Sequence, residues 1–209
     1  EDTRQSQGLL RAFGIERPSG GWLAVHQHNE AEAAQTVVER LRGGQRVAYV
    51  SDAGTPGISD PGARLAAVVR AAGLRVMPLP GASSVTTALS AAGLTGDGAF
   101  VFQGFLPAKG AERAQAVQAL AGERRAVVLL EAPHRIEALA EAIAPLGDRP
   151  VTLARELTKQ FEHIETQPAR ALSAWLAADA QRRRGEFVIV LHPMPESAGT
   201  GQAEALRVL

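Results

Sequence analysis

Val50-Ser51-Asp52-Ala53-Gly54-Thr55-Pro56-Gly57-Ile58-Ser59-Asp60-Pro61-Gly62 is the most informative segment of the chain. A short apolar run, Arg46–Val50, stops, and small turn-forming residues follow until helical periodicity begins near Pro61. That is a strand, a ligand-sized loop and a helix, the repeating unit of α/β proteins. Open sheets of this kind bind ligands beyond the carboxyl ends of their strands, where backbone groups are free. Asp60 at an N-cap and Pro61 at the first helical position explain the end of the stretch as structure, leaving its upstream half for binding. The glycine spacing is neither that of a dinucleotide fingerprint nor that of a Walker loop.

The same unit recurs along the chain. Apolar runs predict strands at Trp22–Val25, Arg46–Val50, Arg75–Leu79, Phe100–Gln103, Ala126–Glu131, Val151–Arg155 and Phe187–Leu191. Helical periodicity predicts helices at Asn29–Arg42, Pro61–Ala72, Ser83–Ala92, Ala111–Ala121, Arg135–Leu146 and Arg170–Ala178. Asn29 with Glu32 has the spacing of a capping box, and Gly43-Gly44 and Gly73 stand where helix C-caps belong. The fold class is α/β. The glycine-rich segment at 92–98 reads as a linker or as an ordinary loop. Taking it as a linker gives an N-terminal α/β domain over 1–96, a C-terminal one over 97–193 and a tail over 194–209 with a helical fragment at Ala203–Leu209.

Composition narrows the function classes. Of 209 residues, 45% are hydrophobic and 21% charged, so the chain can bury a real core. Cysteine is absent, which excludes disulfides and thiolate metal sites and suits a reducing, cytoplasmic setting. No apolar run is long enough to span a bilayer. With 22 basic against 22 acidic residues there is no global field, so nucleic-acid binding would need a local surface.

A second small-residue loop, Pro78-Leu79-Pro80-Gly81-Ala82-Ser83-Ser84, follows the next strand, and Ser83 or Ser84 serves equally as an N-cap. Two such loops after consecutive strands support a shared ligand site better than either does alone. In the C-terminal half, Phe102–Lys109, Glu131-Ala132-Pro133-His134-Arg135 and Ala154–Lys159 each bring polar or charged residues to a strand end. His26 and His28 have a metal-like spacing without an evident third ligand, so no metal is expected. Arg182-Arg183-Arg184 reads as a solvated turn.

Taken in order, Ser51–Pro56, Ser59–Gly62, Pro78–Gly81, Gly104–Lys109, His134-Arg135 and Ala154–Lys159, with Glu1–Arg4 and His28–Glu30, resemble the tetrapyrrole-methylase superfamily. Within it they resemble the branch that methylates small-subunit ribosomal RNA, and the likeness runs from residue 1 to about residue 192. The resemblance implies two α/β domains with S-adenosylmethionine in a cleft between them, S-adenosylhomocysteine as product and a homodimer. It implies that Asp52, Ala53, Gly54, Thr55 and Ile58 line the cofactor from one loop and Ser83 and Ser84 from the next. Glu131 and Leu157 are implied from the C-terminal domain, with Gly185 and Glu186 a weaker pair. The implied reaction is methylation of a cytidine ribose 2′-oxygen in small-subunit (16S) RNA, with Glu156 or Lys159 orienting or deprotonating the hydroxyl. Lys109, Arg113 and Arg135 are the candidate phosphate contacts. The family's pattern also includes a strand and loop upstream of Glu1-Asp2-Thr3-Arg4, so the N-terminal sheet is expected to lack a strand. Rival readings are a same-fold methyltransferase acting on a tetrapyrrole or a protein, and a non-catalytic S-adenosylmethionine-binding protein.

Overall fold

The computed structural model describes residues 1–52 and 54–194. Ala53 and the expected tail beyond Met194 lie outside the described residues. Packing divides the chain into two units, Glu1–Ser83 and Ser84–Leu209, a division that falls earlier than the glycine-rich segment at 92–98.

Among its described residues the first unit holds the α-helices α1 (Thr3–Ala12), α2 (Glu30–Arg42) and α3 (Ala63–Ala71). On α2 the buried residues Ala33, Ala34, Val37 and Val38 recur at helical spacing and meet Leu65 and Val69 of α3. Helix α2 ends where its glycines predict, the amides of Gly43 and Gly44 returning to the carbonyls of Glu39 and Leu41 at 2.9 and 3.0 Å. Its start differs from expectation. Asn29 makes no cap; its Oδ1 accepts from the His26 amide at 2.8 Å and its Nδ2 donates to the Ala24 carbonyl at 3.0 Å. Helix α1, over a segment with few strong apolar positions, was not expected.

The three strands expected in this unit do not form a sheet: among the described residues, 22–25, 46–50 and 75–79 carry no ladder. A strand is defined by a neighbour at about 4.8 Å, not by its own propensity. Here Val50, Val76, Met77 and Leu79 stay exposed while Val25 and part of Tyr49 join the helical core.

The second unit is a mixed five-stranded sheet. Its strands β1 (Phe100–Phe105), β2 (Ala126–Glu131), β3 (Pro150–Arg155), β4 (His163–Pro168) and β5 (Phe187–Leu191) lie in the order β1-β2-β5-β3-β4. Strand β1 is parallel to β2, while β5 runs antiparallel to both β2 and β3. Helix α4 (Ser84–Ala91) covers one face through Val85 and Ala88, packed with Val128, Ala154, Val188 and Val190. Helices α5 (Gly110–Gly122), α6 (Ile136–Ile143) and α7 (Leu172–Ala177) belong to the other face, where Leu129, Leu153 and Ile189 pack with Ile136, Leu139 and Leu172. Burial on both faces is why β2 and β5 read as continuous apolar runs instead of alternating ones. Strand β4 escaped the sequence reading because it is an edge strand, His-Ile-Glu-Thr-Gln-Pro, with one strongly apolar residue.

The sheet's far end is closed by a buried cation. Arg149 donates to the carbonyls of His192, Leu120 and Arg125 at 2.7, 2.7 and 3.0 Å. Beside it, Thr152 Oγ1 lies 2.7 Å from both Thr166 Oγ1 and His192 Nε2. Burial, then the Arg149 charge, pushes the His192 imidazole below its ordinary value.

Candidate functional site

In the first unit, hydrogen bonds join three of the expected motifs. Asp2 caps α1, accepting from the Arg4 amide at 2.9 Å and from the Arg4 guanidinium at 3.0 and 2.7 Å. Those bonds, the guanidinium first, pull its carboxyl down to about 2. The Asp2 amide donates to Asp52 Oδ1 at 2.9 Å, which ties this motif to the loop after the 46–50 segment. Ser51 Oγ donates to the Gly54 carbonyl at 3.1 Å, and Thr55 Oγ1 reaches the Ala82 carbonyl at 3.0 Å. The two small-residue loops are therefore neighbours, as a shared ligand site requires. A Cβ built on Gly54 or Gly81 meets nothing within 4 Å, so the backbone there is open to close approach. Ile58 is 45% exposed, and Ser59 holds a positive φ of 69°.

The far half of the first loop is fixed by a residue that the sequence reading assigned only to a motif. The buried Glu30 carboxylate accepts from the amides of Gly62 and Leu65 at 2.9 and 3.0 Å. It thus serves as the N-cap of α3 from a distant helix, where Asp60 and Pro61 had been expected to do so; α3 begins at Ala63 with Gly62 at the cap. Burial works to raise the Glu30 carboxyl, but the amides of Leu65 and Gly62 outweigh it and hold it below its usual range. Gly62 sits at φ 125°, and a Cβ there would fall 2.6 Å from the Tyr49 ring.

In the second unit, all three motifs that end strands converge on one edge of the sheet. Because β1, β2 and β3 run in the same direction, their carboxyl ends coincide; Glu131 and Arg155 both pair with Phe187 across β5. This edge carries Glu131, Arg135, Lys109, Glu156, Leu157 and Lys159. Leu157 is partly buried against the α4 face of the sheet. Ser84 opens α4, and Ser83 precedes it. Lys109 is exposed at the start of α5.

Arg113 and Arg135, two of the expected phosphate contacts, have partners within the protein. The Glu131 side chain is wholly buried, with Arg135 Nε at 2.9 Å and Arg113 Nη1 at 4.0 Å. Arg113 also donates to the carbonyls of Pro107 and Ala108, and Arg135 to that of Leu106. A buried carboxylate requires charge partners, and these two arginines supply them while lacing the 104–109 loop to the sheet. Glu131 Oε1 accepts from the Ala132 amide at 3.0 Å; Oε2 and Arg113 Nη2 are buried without a hydrogen-bond partner. The Arg135 Nε contact is close enough for an ion pair but poorly aligned as a hydrogen bond, and its worth is electrostatic.

Glu156 and Lys159 form a latch. Glu156 Oε1 accepts from the Glu186 amide at 2.9 Å and from Lys159 Nζ at 3.0 Å, and Lys159 Nζ also reaches Glu186 Oε2 at 2.9 Å. The backbone is held in rare conformations, with Glu156 at φ 51° and Thr158 at φ 66°. The Glu186 amide first, then the Lys159 ammonium, keeps the Glu156 carboxyl below its ordinary value. Glu186, then Glu156, raises the Lys159 ammonium. A carboxylate that has lost proton affinity is a weak general base, and an ammonium held protonated is none; the pair is suited to donate and to orient.

The remaining sequence candidates have local partners. The rings of His26 and His28 lie edge to face at 6.0 Å, and among the described residues no group of three or more His, Cys, Asp or Glu side chains could hold a metal ion. Arg182 covers the Trp175 ring at 4.4 Å, and Arg183 pairs with Glu137 at 2.9 Å. No helix among the described residues is long and apolar enough to cross a membrane.

The chain matches the family model of the tetrapyrrole (corrin/porphyrin) methylases over residues 2–173. It is 47% identical to the ribosomal RNA small subunit methyltransferase I of Pseudomonas aeruginosa, covering 100% of this chain and 74% of that protein. The enzyme of the same name from Escherichia coli O157:H7 is 45% identical, over 100% of this chain and 72% of that one. Among solved structures, the methyltransferase CobJ superposes with a TM-score of 0.59 at 20% identity, covering 90% of this chain and 82% of its own. Uroporphyrin-III C-methyltransferase from Thermus thermophilus, complexed with S-adenosylhomocysteine, gives 0.51 at 17% identity, over 78% and 73%. These two likenesses concern the fold alone.

Proposed function

Because the chain belongs to the tetrapyrrole (corrin/porphyrin) methylase family, we propose that it methylates small-subunit ribosomal RNA, using S-adenosylmethionine as methyl donor. The finer part of this reading is the acceptor: the ribose 2′-oxygen of a cytidine in 16S RNA. The observation that carries the proposal is the identity to curated small-subunit RNA methyltransferases across the whole chain.

The cofactor supplies an electrophilic methyl group on a sulfonium. The residues present fit it in the first unit, where the backbone beside Gly54 and Gly81 is open to close approach. We assign its binding to Asp52, Gly54, Thr55, Ile58 and Ser83 in the first unit, with Ala53 carried by resemblance alone. In the second unit the assignment falls on Ser84, Glu131 and Leu157. Glu156 and Lys159 are assigned to orient the acceptor ribose hydroxyl, whose proton passes to Glu156 or to solvent as the oxygen takes the methyl group. Orienting the hydroxyl toward the bound methyl donor would contribute roughly 7–11 kcal/mol, as for well-oriented reactants. Lys109 is assigned a phosphate contact. The acting species is assigned as a homodimer in the cytoplasm, with no metal.

Transfer of a labelled methyl group to small ribosomal subunits lacking the modification tests the reading, followed by nuclease digestion to identify the labelled nucleoside. Label in 2′-O-methylcytidine is expected. No incorporation, or label on a base, overturns it. Lys109→Ala is expected to lower the log–log salt slope of RNA binding by about 0.7, the loss of one phosphate contact on a single strand.

A further inference from the structure

Phe161 stands in the connection between β3 and β4 with 66% of its surface exposed. A lone exposed apolar side chain is ordinary, but this one is presented by a fixed support. The Thr158 amide donates to Glu162 Oε2 at 2.6 Å, the Lys159 amide to the Glu156 carbonyl at 3.0 Å, and the Glu162 amide to the Lys159 carbonyl at 3.1 Å. The latch described above clamps the base of the same turn. The ring is thus carried on a segment that has already lost its conformational freedom, as a binding platform requires.

Its surroundings select the partner. Gln160, Glu162 and Lys159 flank Phe161, so its neighbours along the turn are polar, unlike the apolar centre of a protein interface. Exposed Arg184 stands at the same end of the sheet, with partly buried Arg155 donating to its carbonyl at 3.3 Å, while the Lys159 ammonium is paired with Glu156 and Glu186. The three carboxylates nearby, Glu156, Glu162 and Glu186, are each engaged in hydrogen bonds within the turn and its latch. A flat apolar ring beside an exposed guanidinium, with the nearby carboxylates engaged, matches a nucleotide, whose base stacks while its phosphate meets the charge. A duplex hides its base faces, so the ligand is an unpaired stretch.

We propose that Phe161 is a stacking platform for an unpaired base of the RNA substrate, on the Arg155–Lys159–Arg184 edge of the sheet. This rests on the reading that the substrate is RNA. The test uses the full chain and fluorescence anisotropy with a short, unstructured, uridine-rich RNA and with a duplex of equal length, across a salt series. Alanine replacement of a stacking aromatic weakens single-strand binding about 5- to 150-fold. Phe161→Ala is expected to show such a loss on the single strand, an unchanged salt slope, and no change on the duplex; Phe161→Tyr is expected to bind as the parent does. Phe161 is exposed, so matching melting temperatures of the variants establish that folding is intact. Parent-like single-strand binding by Phe161→Ala, an equal loss on the duplex, or no single-strand binding by the parent protein overturns the platform. Failure of the parent to methylate small subunits instead overturns the substrate reading, so the two outcomes are separable.

Discussion

Gly185→Ala tests the latch at its tightest point. Gly185 sits at φ 89°, and an added Cβ would fall inside van der Waals contact of Cγ, Cδ and Oε1 of Glu156. Two costs follow. A left-handed alanine costs about 1–2 kcal/mol. Displacing the Glu156 carboxylate breaks its bond from the Glu186 amide, about 1.5 kcal/mol. It also breaks its pair with Lys159, about 0.5 kcal/mol because that ammonium is half exposed. The expected destabilisation is therefore about 3–4 kcal/mol. In a Glu156→Ala background only the backbone cost remains, so the two substitutions couple by about 2 kcal/mol. The chain has two tryptophans, Trp22 in the first unit and Trp175 in the second. Urea unfolding in a Trp22→Phe background therefore follows the second unit through Trp175. A coupling below about 0.5 kcal/mol would mean that Gly185 is not retained against the Glu156 side chain, and the latch argument would fail.

Two further outcomes are expected. The folded protein holds the His192 imidazole below its unfolded value of 6.5, so the unfolded state binds more protons between those two values. Stability of the second unit is thus fully present above about pH 6.5 and declines as the pH falls toward the folded pKa; in a His192→Asn variant that slope in urea unfolding should vanish. Glu30→Ala leaves the buried amides of Gly62 and Leu65 without their acceptor and should cost the first unit about 2–4 kcal/mol by Trp22 fluorescence, with Glu30→Gln costing clearly less. Equal effects of the two Glu30 variants would refute the capping role.

Much of the chain was legible because its signals are local. The apolar runs of β2 and β5 and the helical spacing of α2 need no knowledge of what lies across from them. The glycines at 44 and 73 likewise mark helix ends by their own backbone freedom. The motif set, read in order, gave the family without any coordinates. What stayed hidden depends on partners far along the chain. Whether 46–50 is a strand turns on a neighbour for it to pair with, and β4 is a strand because β3 lies beside it. Glu30 caps a helix more than thirty residues away, a role that no local pattern encodes. The ion pairs of Arg113 and Arg135 with the buried Glu131 join residues from different elements, and no local pattern encodes them. Local signals along the chain were enough for the elements of the second unit apart from β4, and for the kinship. Tertiary structure decided which charged groups remain available for chemistry, because desolvation and hydrogen bonding act only once distant segments have met.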